Sequence, residues 1–215
     1  MLNLKLNNRA PIEMVERFII LFFVLSIVSC SSKAKKFDIK EDLWEYIKNP
    51  ENEYLQQKTI NGIDFSLLYK PNDLLVDQEL GGKNADSLVI KYRNKYKDYL
   101  YFTLSMSKNN HELLSHVARD RQQFGAMVND LAFGMNRKVH VYTPKKDTLP
   151  MTDFVYPRMY GMSGNTSILF VYPRREEYLK QEYLNFTIQD LGFYTGEVKF
   201  KVPTKLINNE PKLNF

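Results

Sequence analysis

Residues 60–69 are INGIDFSLLY, a turn dipeptide running into a stretch of alternating apolar residues. Asn61-Gly62 is the dipeptide that best tolerates the two left-handed positions of a type I′ turn, whose twist matches that of a β-hairpin. After it, Ile63, Phe65, Leu67 and Tyr69 alternate with Asp64 and Ser66. That period of two marks a half-buried strand, and Pro71-Asn72-Asp73 ends it. The same signature predicts further strands downstream: a short one over residues 74–76, then 88–93 and 99–106, with Leu100, Phe102, Leu104 and Met106 on one face. Gly81-Gly82-Lys83-Asn84 reads as a loop. Residues 139–143, 152–160, 166–172, 183–189 and 196–202 complete about eight or nine strands.

Two helices interrupt this pattern. KEDLWEYIK, residues 40–48, places Leu43, Trp44 and Ile47 on one face, and Asn49-Pro50 stops it. A further turn, ENEYLQQ, is expected after it, with Pro50 at the first position. Asn109-Asn110 reads as the cap of one long helix over residues 111–133, in which Leu113, Val117, Phe124, Val128 and Leu131 recur at helical spacing and Gly134 closes the end. The expected fold class is α+β, mainly β: an antiparallel β-sandwich with a short N-terminal helix and one long helix, or alternatively a small β-barrel.

The N-terminus has a different character. From Phe18 to Val28 every residue is apolar except Ser26, and Arg17 precedes the run. A charged lead, a short apolar core and a small residue before the junction describe a secretory signal peptide. The run is too short to span a bilayer, which needs roughly 20 apolar residues. At its end, Ile27-Val28-Ser29-Cys30 resembles the lipobox of bacterial lipoproteins: an aliphatic residue, a small or aliphatic one, a small one, then Cys. The resemblance covers the signal and its junction alone. It implies cleavage before Cys30, a diacylglyceryl group on the Cys30 thiol and acyl chains such as palmitate as the membrane anchor. Met14 begins MVERFIILFFVLSIVSC, a signal of ordinary length, so translation from Met14 is weighed beside translation from Met1. The domain plan is then a signal peptide over 1–29, a lipidated tether over 30–37 and a single β-rich domain over 38–215.

Composition agrees with export. Cys30 is the single cysteine, which excludes an intramolecular disulfide, and lipidation accounts for it. The formal net charge of +5 is mild and its charges are interspersed, which argues against nucleic acid as a partner. Lys33, Lys35 and Lys36 cluster beside the anchor, where they either touch lipid head groups or solvate a tether. The chain holds 14 Tyr and 14 Phe against one Trp, Trp44, a mix that suits β-rich envelope domains.

One pentapeptide, Phe-Val-Tyr-Pro-Arg, occurs twice, at 154–158 and 170–174, around a turn at Gly161-Met162-Ser163-Gly164-Asn165. As arms of one hairpin, Phe154 would face Tyr172 and Tyr156 would face Phe170. Tyr156, Arg158, Tyr172 and Arg174 are the candidate binding residues, since Tyr and Arg are favoured at interfaces. The plainer alternative is an ordinary hairpin. Other motifs fail on spacing. His111 and His116 are five residues apart, roughly 140° around one helix, so they cannot share a metal as H-E-x-x-H does. Gly161-Met162-Ser163-Gly164 falls one residue short of the G-x-S-x-G elbow. Asp153 and Asp190 carry no special signal of a glycosidase pair. No fingerprint for a cofactor or metal is present.

The reading is a non-enzymatic binding or assembly module of the cell envelope, with envelope proteins as partners and the membrane reached through the lipid anchor. Such a module resembles, at the level of fold, small sandwich lipoproteins that brace secretion machines. Ser31, rather than Asp, after the lipidated Cys implies sorting to the outer membrane, and the following lysines favour its periplasmic face. A carrier of a glycan or lipid ligand is the alternative, and an envelope hydrolase a third.

Overall fold

Asn61 and Gly62 both take left-handed backbone, with φ of 50° and 73°, and Ile60 pairs with Ile63 across them. The expected type I′ hairpin therefore joins β2 (Leu55–Ile60) to β3 (Ile63–Tyr69). The computed structural model describes residues 34–83 and 85–215. The signal segment, the lipobox and Cys30 lie outside the described residues. Ala34–Phe215 cluster as one unit.

The hairpin opens a five-stranded antiparallel sheet in the order β2-β3-β4-β8-β7, with β4 at Tyr99–Ser107, β8 at Thr166–Pro173 and β7 at Asp153–Val155. A four-stranded antiparallel sheet runs β10-β9-β5-β6, from β10 (Val198–Pro203) through β9 (Tyr183–Ile188) and β5 (Val139–Tyr142) to β6 (Thr148–Leu149). Two residues of β1 (Lys36–Phe37) pair in parallel with β11 (Lys212–Leu213). Among the described residues no sheet closes into a barrel, so that alternative is excluded. Helix, at about 35%, matches strand, at about 32%, so the fold is α+β but not mainly β.

One buried cluster draws on both larger sheets and on the helices. Period-two alternation turns Phe65, Leu67, Phe102, Leu104, Ile168 and Phe170 inward from one sheet and Phe186 and Phe200 from the other. Phe186 meets Phe102 and Phe170 with ring centroids 5.6 Å apart in each case. Phe102 also packs on Tyr69 at 5.5 Å and Tyr172 at 6.1 Å. These separations suit tilted and edge-on aromatic pairs. At one side the sheets are seamed: Gln56 Nε2 and Lys58 Nζ on β2 donate to the carbonyls of Lys201 and Lys199 on β10, each at 2.5 Å, and Asn61 Nδ2 donates to Phe193 O at 2.6 Å. Carbonyls on the open edge of β10 are thereby covered, which blunts a surface that would otherwise recruit another strand.

The helices depart from the sequence reading in four places. Helix α1 (Lys40–Lys48) forms as expected, with Leu43 and Ile47 buried, but the further turn is a single 3₁₀ turn (Pro50–Asn52) that gives way to β2. Residues 74–76 belong to α2 (Asn72–Leu80), and residues 88–93 to α3 (Asp86–Tyr96), rather than to strands. Short apolar runs fit helix or strand equally well by periodicity. Leu88, Tyr92 and Tyr96, each four residues from the next, carry the helical signal and pack against Val76 and Leu80. The long helix over 111–133 does not form. Asn109 and Asn110 take φ of 52° and 57° and make a tight turn that bridges Lys108 to His111, so they cap nothing. Two helices follow: α4 (Leu113–Val117) and α5 (Arg121–Asn129), the second capped by Asp120 Oδ1, which accepts from Gln122 N at 2.9 Å and Gln123 N at 3.0 Å. A π-helical turn (Asp130–Gly134) leads into α6 (Met135–Lys138), and two short helices, α7 (Glu176–Leu179) and α8 (Thr204–Asn208), complete the chain.

Candidate functional site

The chain leaves β7 at Val155 and crosses to β8 through residues 156–165. Pro157 has no N–H to continue a ladder, which ends the pairing early. The register is Phe154 to Phe170, not Phe154 to Tyr172, and Tyr156 pairs with nothing. The connecting loop is pinned from below. Glu112, only 3% exposed, accepts through Oε1 from the backbone N–H of Gly161 and of Ser163, both at 3.1 Å. Tyr160 and Gly161 take φ of 54° and 82° to aim those N–H groups inward. Leu113 N donates to Thr166 Oγ1 at 3.0 Å, so α4 is tied to the start of β8 beside the loop.

Between this loop and α4 and α5 runs a groove of about 390 Å³, walled by Leu114, Ala118, Phe124 and Val128 on the helical side and by Tyr156, Arg158 and Tyr160 on the loop side. Two of its apolar walls are open to solvent: Tyr160 is 79% exposed and Phe124 38%. Two donors stand unengaged. The Tyr156 hydroxyl is shielded from solvent and has no hydrogen-bond partner. Burial raises its pKa, the Glu112 carboxylate raises it further and Arg158 opposes, so the phenol stays protonated and presents a donor. Arg158 lies 5.9 Å from the Tyr160 ring and, among the described residues, has no carboxylate within salt-bridge distance. An apolar trough with two free donors fits an apolar body that carries an acceptor or a carboxylate.

The four residues expected to bind part company. Tyr156 and Arg158 line the groove. Tyr172 and Arg174 lie away from it. Tyr172 shares the inward face of β8 with Ile168 and Phe170, is 0% exposed and packs on Phe102. Arg174 turns into a polar cluster under the C-terminal segment. Its Nη2 lies 3.0 Å from Glu210 Oε2 and donates to Tyr69 Oη at 2.9 Å, while Nη1 donates to Ile207 O at 3.2 Å. Tyr69 Oη donates in turn to Glu210 Oε2 at 2.6 Å. Burial raises the Glu210 carboxyl pKa, with Arg174 and the Tyr69 hydrogen bond pulling it down. Cys30 lies outside the described residues.

Sequence reasoning missed Glu112, Phe124 and Tyr160. Phe124 had a helical spacing that suggested the core, and nothing local marked Glu112 as the clamp of a loop 49 residues away. His111 and His116 do not share one helix: His111 precedes α4 and His116 lies within it. Their rings stack at 6.2 Å. Each spends a ring N–H on a carbonyl, His111 Nδ1 on Asn110 O and His116 Nε2 on Lys108 O, both at 2.8 Å. Among the described residues no three His, Cys, Asp or Glu side chains gather as a metal site, and no helix is long and apolar enough to cross a membrane.

An α+β domain with an open, apolar, donor-bearing groove is therefore what the fold and site define. Comparison of the chain with protein-family models, with curated proteins and with solved structures found no match.

Proposed function

We propose that this chain is an envelope lipoprotein, anchored through Cys30 to the periplasmic face of the outer membrane, whose domain is a non-enzymatic binding or assembly module. The anchor rests on the lipobox and on Ser31 after it. We also read the two larger sheets as halves of a β-sandwich, on the strength of the ring contacts of Phe186 with Phe102 and Phe170.

The observation that carries the binding role is the groove beside Tyr156 and Arg158. Soluble surfaces rarely gather exposed apolar side chains in one place unless something covers them. The partner this chemistry fits is an apolar segment of another envelope protein that bears a carboxylate for Arg158 and an acceptor for the Tyr156 hydroxyl. A second reading, an amphiphilic lipid-like ligand, draws on the groove's volume of about 390 Å³, which falls within the range of small-molecule sites.

Recovery of envelope proteins from detergent extracts on the immobilised domain tests this. Tyr156→Ala and Arg158→Ala are each expected to weaken capture by roughly 30-fold, the effect of losing one interface hot spot of about 2 kcal/mol. Tyr172→Phe, which alters only a buried hydroxyl, should leave capture intact. Equal recovery by all three variants contradicts the proposal, and capture of a lipid in place of protein selects the second reading.

A further inference from the structure

Lys36 and Lys212 are direct partners in the short parallel ladder of β1 with β11, and both are exposed. Like charges placed opposite each other on neighbouring strands repel. Among the described residues neither has a carboxylate within salt-bridge distance. Lys35 stands next to them, its ammonium over the rings of Phe37 and Tyr46 at 5.3 and 4.3 Å. The ladder borders α3, which turns Asp86, Val89, Ile90 and Arg93 to one side at helical spacing. Together with Phe215 they line a second groove of about 510 Å³.

Within this groove Arg93 is already engaged. It holds Asp73 with two hydrogen bonds of 3.0 and 2.7 Å and donates to Leu213 O at 2.7 Å. Asp73, 5% exposed, also accepts from Leu213 N at 2.9 Å, so this carboxylate is spent on fixing β11. Asp86 supplies the one side-chain carboxylate lining the groove, set against the free charges of Lys36 and Lys212. Ile90, on the same helical face, is 61% exposed. Paired free lysines beside a protruding aliphatic side chain are the elements of an interfacial lipid contact, in which the cations meet anionic head groups and the alkyl group enters the acyl boundary.

We infer that the surface made by Lys36, Lys212 and Ile90 seats the domain on an anionic lipid surface. The orientation rests on the lipid-anchor reading above: Ala34 follows Cys30 by four residues, at most about 14 Å of extended chain, so an acylated Cys30 keeps this surface near the bilayer. The charge and apolar chemistry stand without it.

Flotation of the processed chain, residues 30–215 with Cys30→Ser so that no acyl group is attached, tests the surface alone. Vesicles of equal parts phosphatidylglycerol and phosphatidylcholine are compared with vesicles of phosphatidylcholine. Binding is expected to the first and not the second. Lys36→Ala with Lys212→Ala should weaken it by about 25-fold, at roughly fivefold per lysine. Lys199→Ala with Lys201→Ala, an equal loss of charge on β10, should leave it unchanged, and circular dichroism should match for all proteins. Equal binding to both vesicles, equal loss in the two double variants, or displacement from vesicles by inorganic phosphate at constant ionic strength overturns the inference. Palmitate labelling of the unaltered chain reports the anchor separately: labelled protein that fails to float as the Cys30→Ser form refutes the surface only, and unlabelled protein that floats refutes the anchor only.

Discussion

Glu210→Ala is expected to destabilise the domain by about 3 kcal/mol, the low end of the cost of stripping one partner from a buried ion pair, because this pair is only partly buried. Among the described residues Glu210 is the sole carboxylate that meets the Arg174 guanidinium, at 3.0 Å, and Tyr69 Oη bonds to both. Without it the guanidinium stays under α8 and the C-terminal segment with no counter-charge, and the wholly buried Tyr69 hydroxyl loses its acceptor. Arg174 Nε has no partner even in the intact cluster, so there is no spare acceptor to take over. Glu210→Gln should cost less, because it keeps a carbonyl acceptor for Tyr69. The pH dependence has a definite sign. The folded carboxyl pKa is raised by burial, so the proton-linked part of the stability this group contributes is full below the ordinary glutamate value of about 4.3 and is lost as pH rises through the raised folded value, while the pairing with Arg174 remains above it. The stability gap between the native chain and Glu210→Gln should therefore narrow as pH rises from about 4, as read by urea unfolding at several pH values.

Phe102→Ala should cost a similar amount, about 3–5 kcal/mol, the range for emptying a buried aromatic site. Phe102 is fully buried on the middle strand of the larger sheet and touches three rings: Tyr69 and Tyr172 within that sheet and Phe186 across the core. Large rings on every side cannot collapse into the space without leaving their rotamers, so the cavity persists. Phe102→Leu should recover more than half of the loss. A cost under about 1 kcal/mol for Phe102→Ala, by chemical denaturation, would mean that the two sheets do not depend on this contact.

The legible parts of the fold were those where one local rule acts alone. Asn61-Gly62 fixed a turn, and the alternation of Ile63, Phe65, Leu67 and Tyr69 fixed a face. Leu43 and Ile47 placed α1. The misread parts were those where two rules compete. Asn109-Asn110 is compatible with a helix cap and with a hairpin turn, and cross-strand pairing of Lys108 with His111 chose the turn. Residues 88–93 alternate well enough for a strand, yet Leu88, Tyr92 and Tyr96 bury against α2 only as a helix.

The candidate site shows the same division. The repeated pentapeptide named Tyr156 and Arg158, which line the groove, and also Tyr172 and Arg174, which do not. Identical side chains met opposite surroundings because the first copy runs off a three-residue edge strand and the second stays in register along β8. No local pattern could reveal Glu112 as the clamp, since its partners are backbone N–H groups supplied by a distant loop.

The proposed partner site is the groove between this loop and α5. A photo-reactive phenylalanine analogue in place of Tyr160, in the full chain within intact envelopes, tests it directly. A control carries the same group in place of Ile39, which is also exposed and apolar but lies just before α1. One discrete crosslinked species is expected from position 160, lost when Arg158→Ala is added, and none from position 39. Irradiation that yields the same products from both positions, or nothing from position 160, would contradict it.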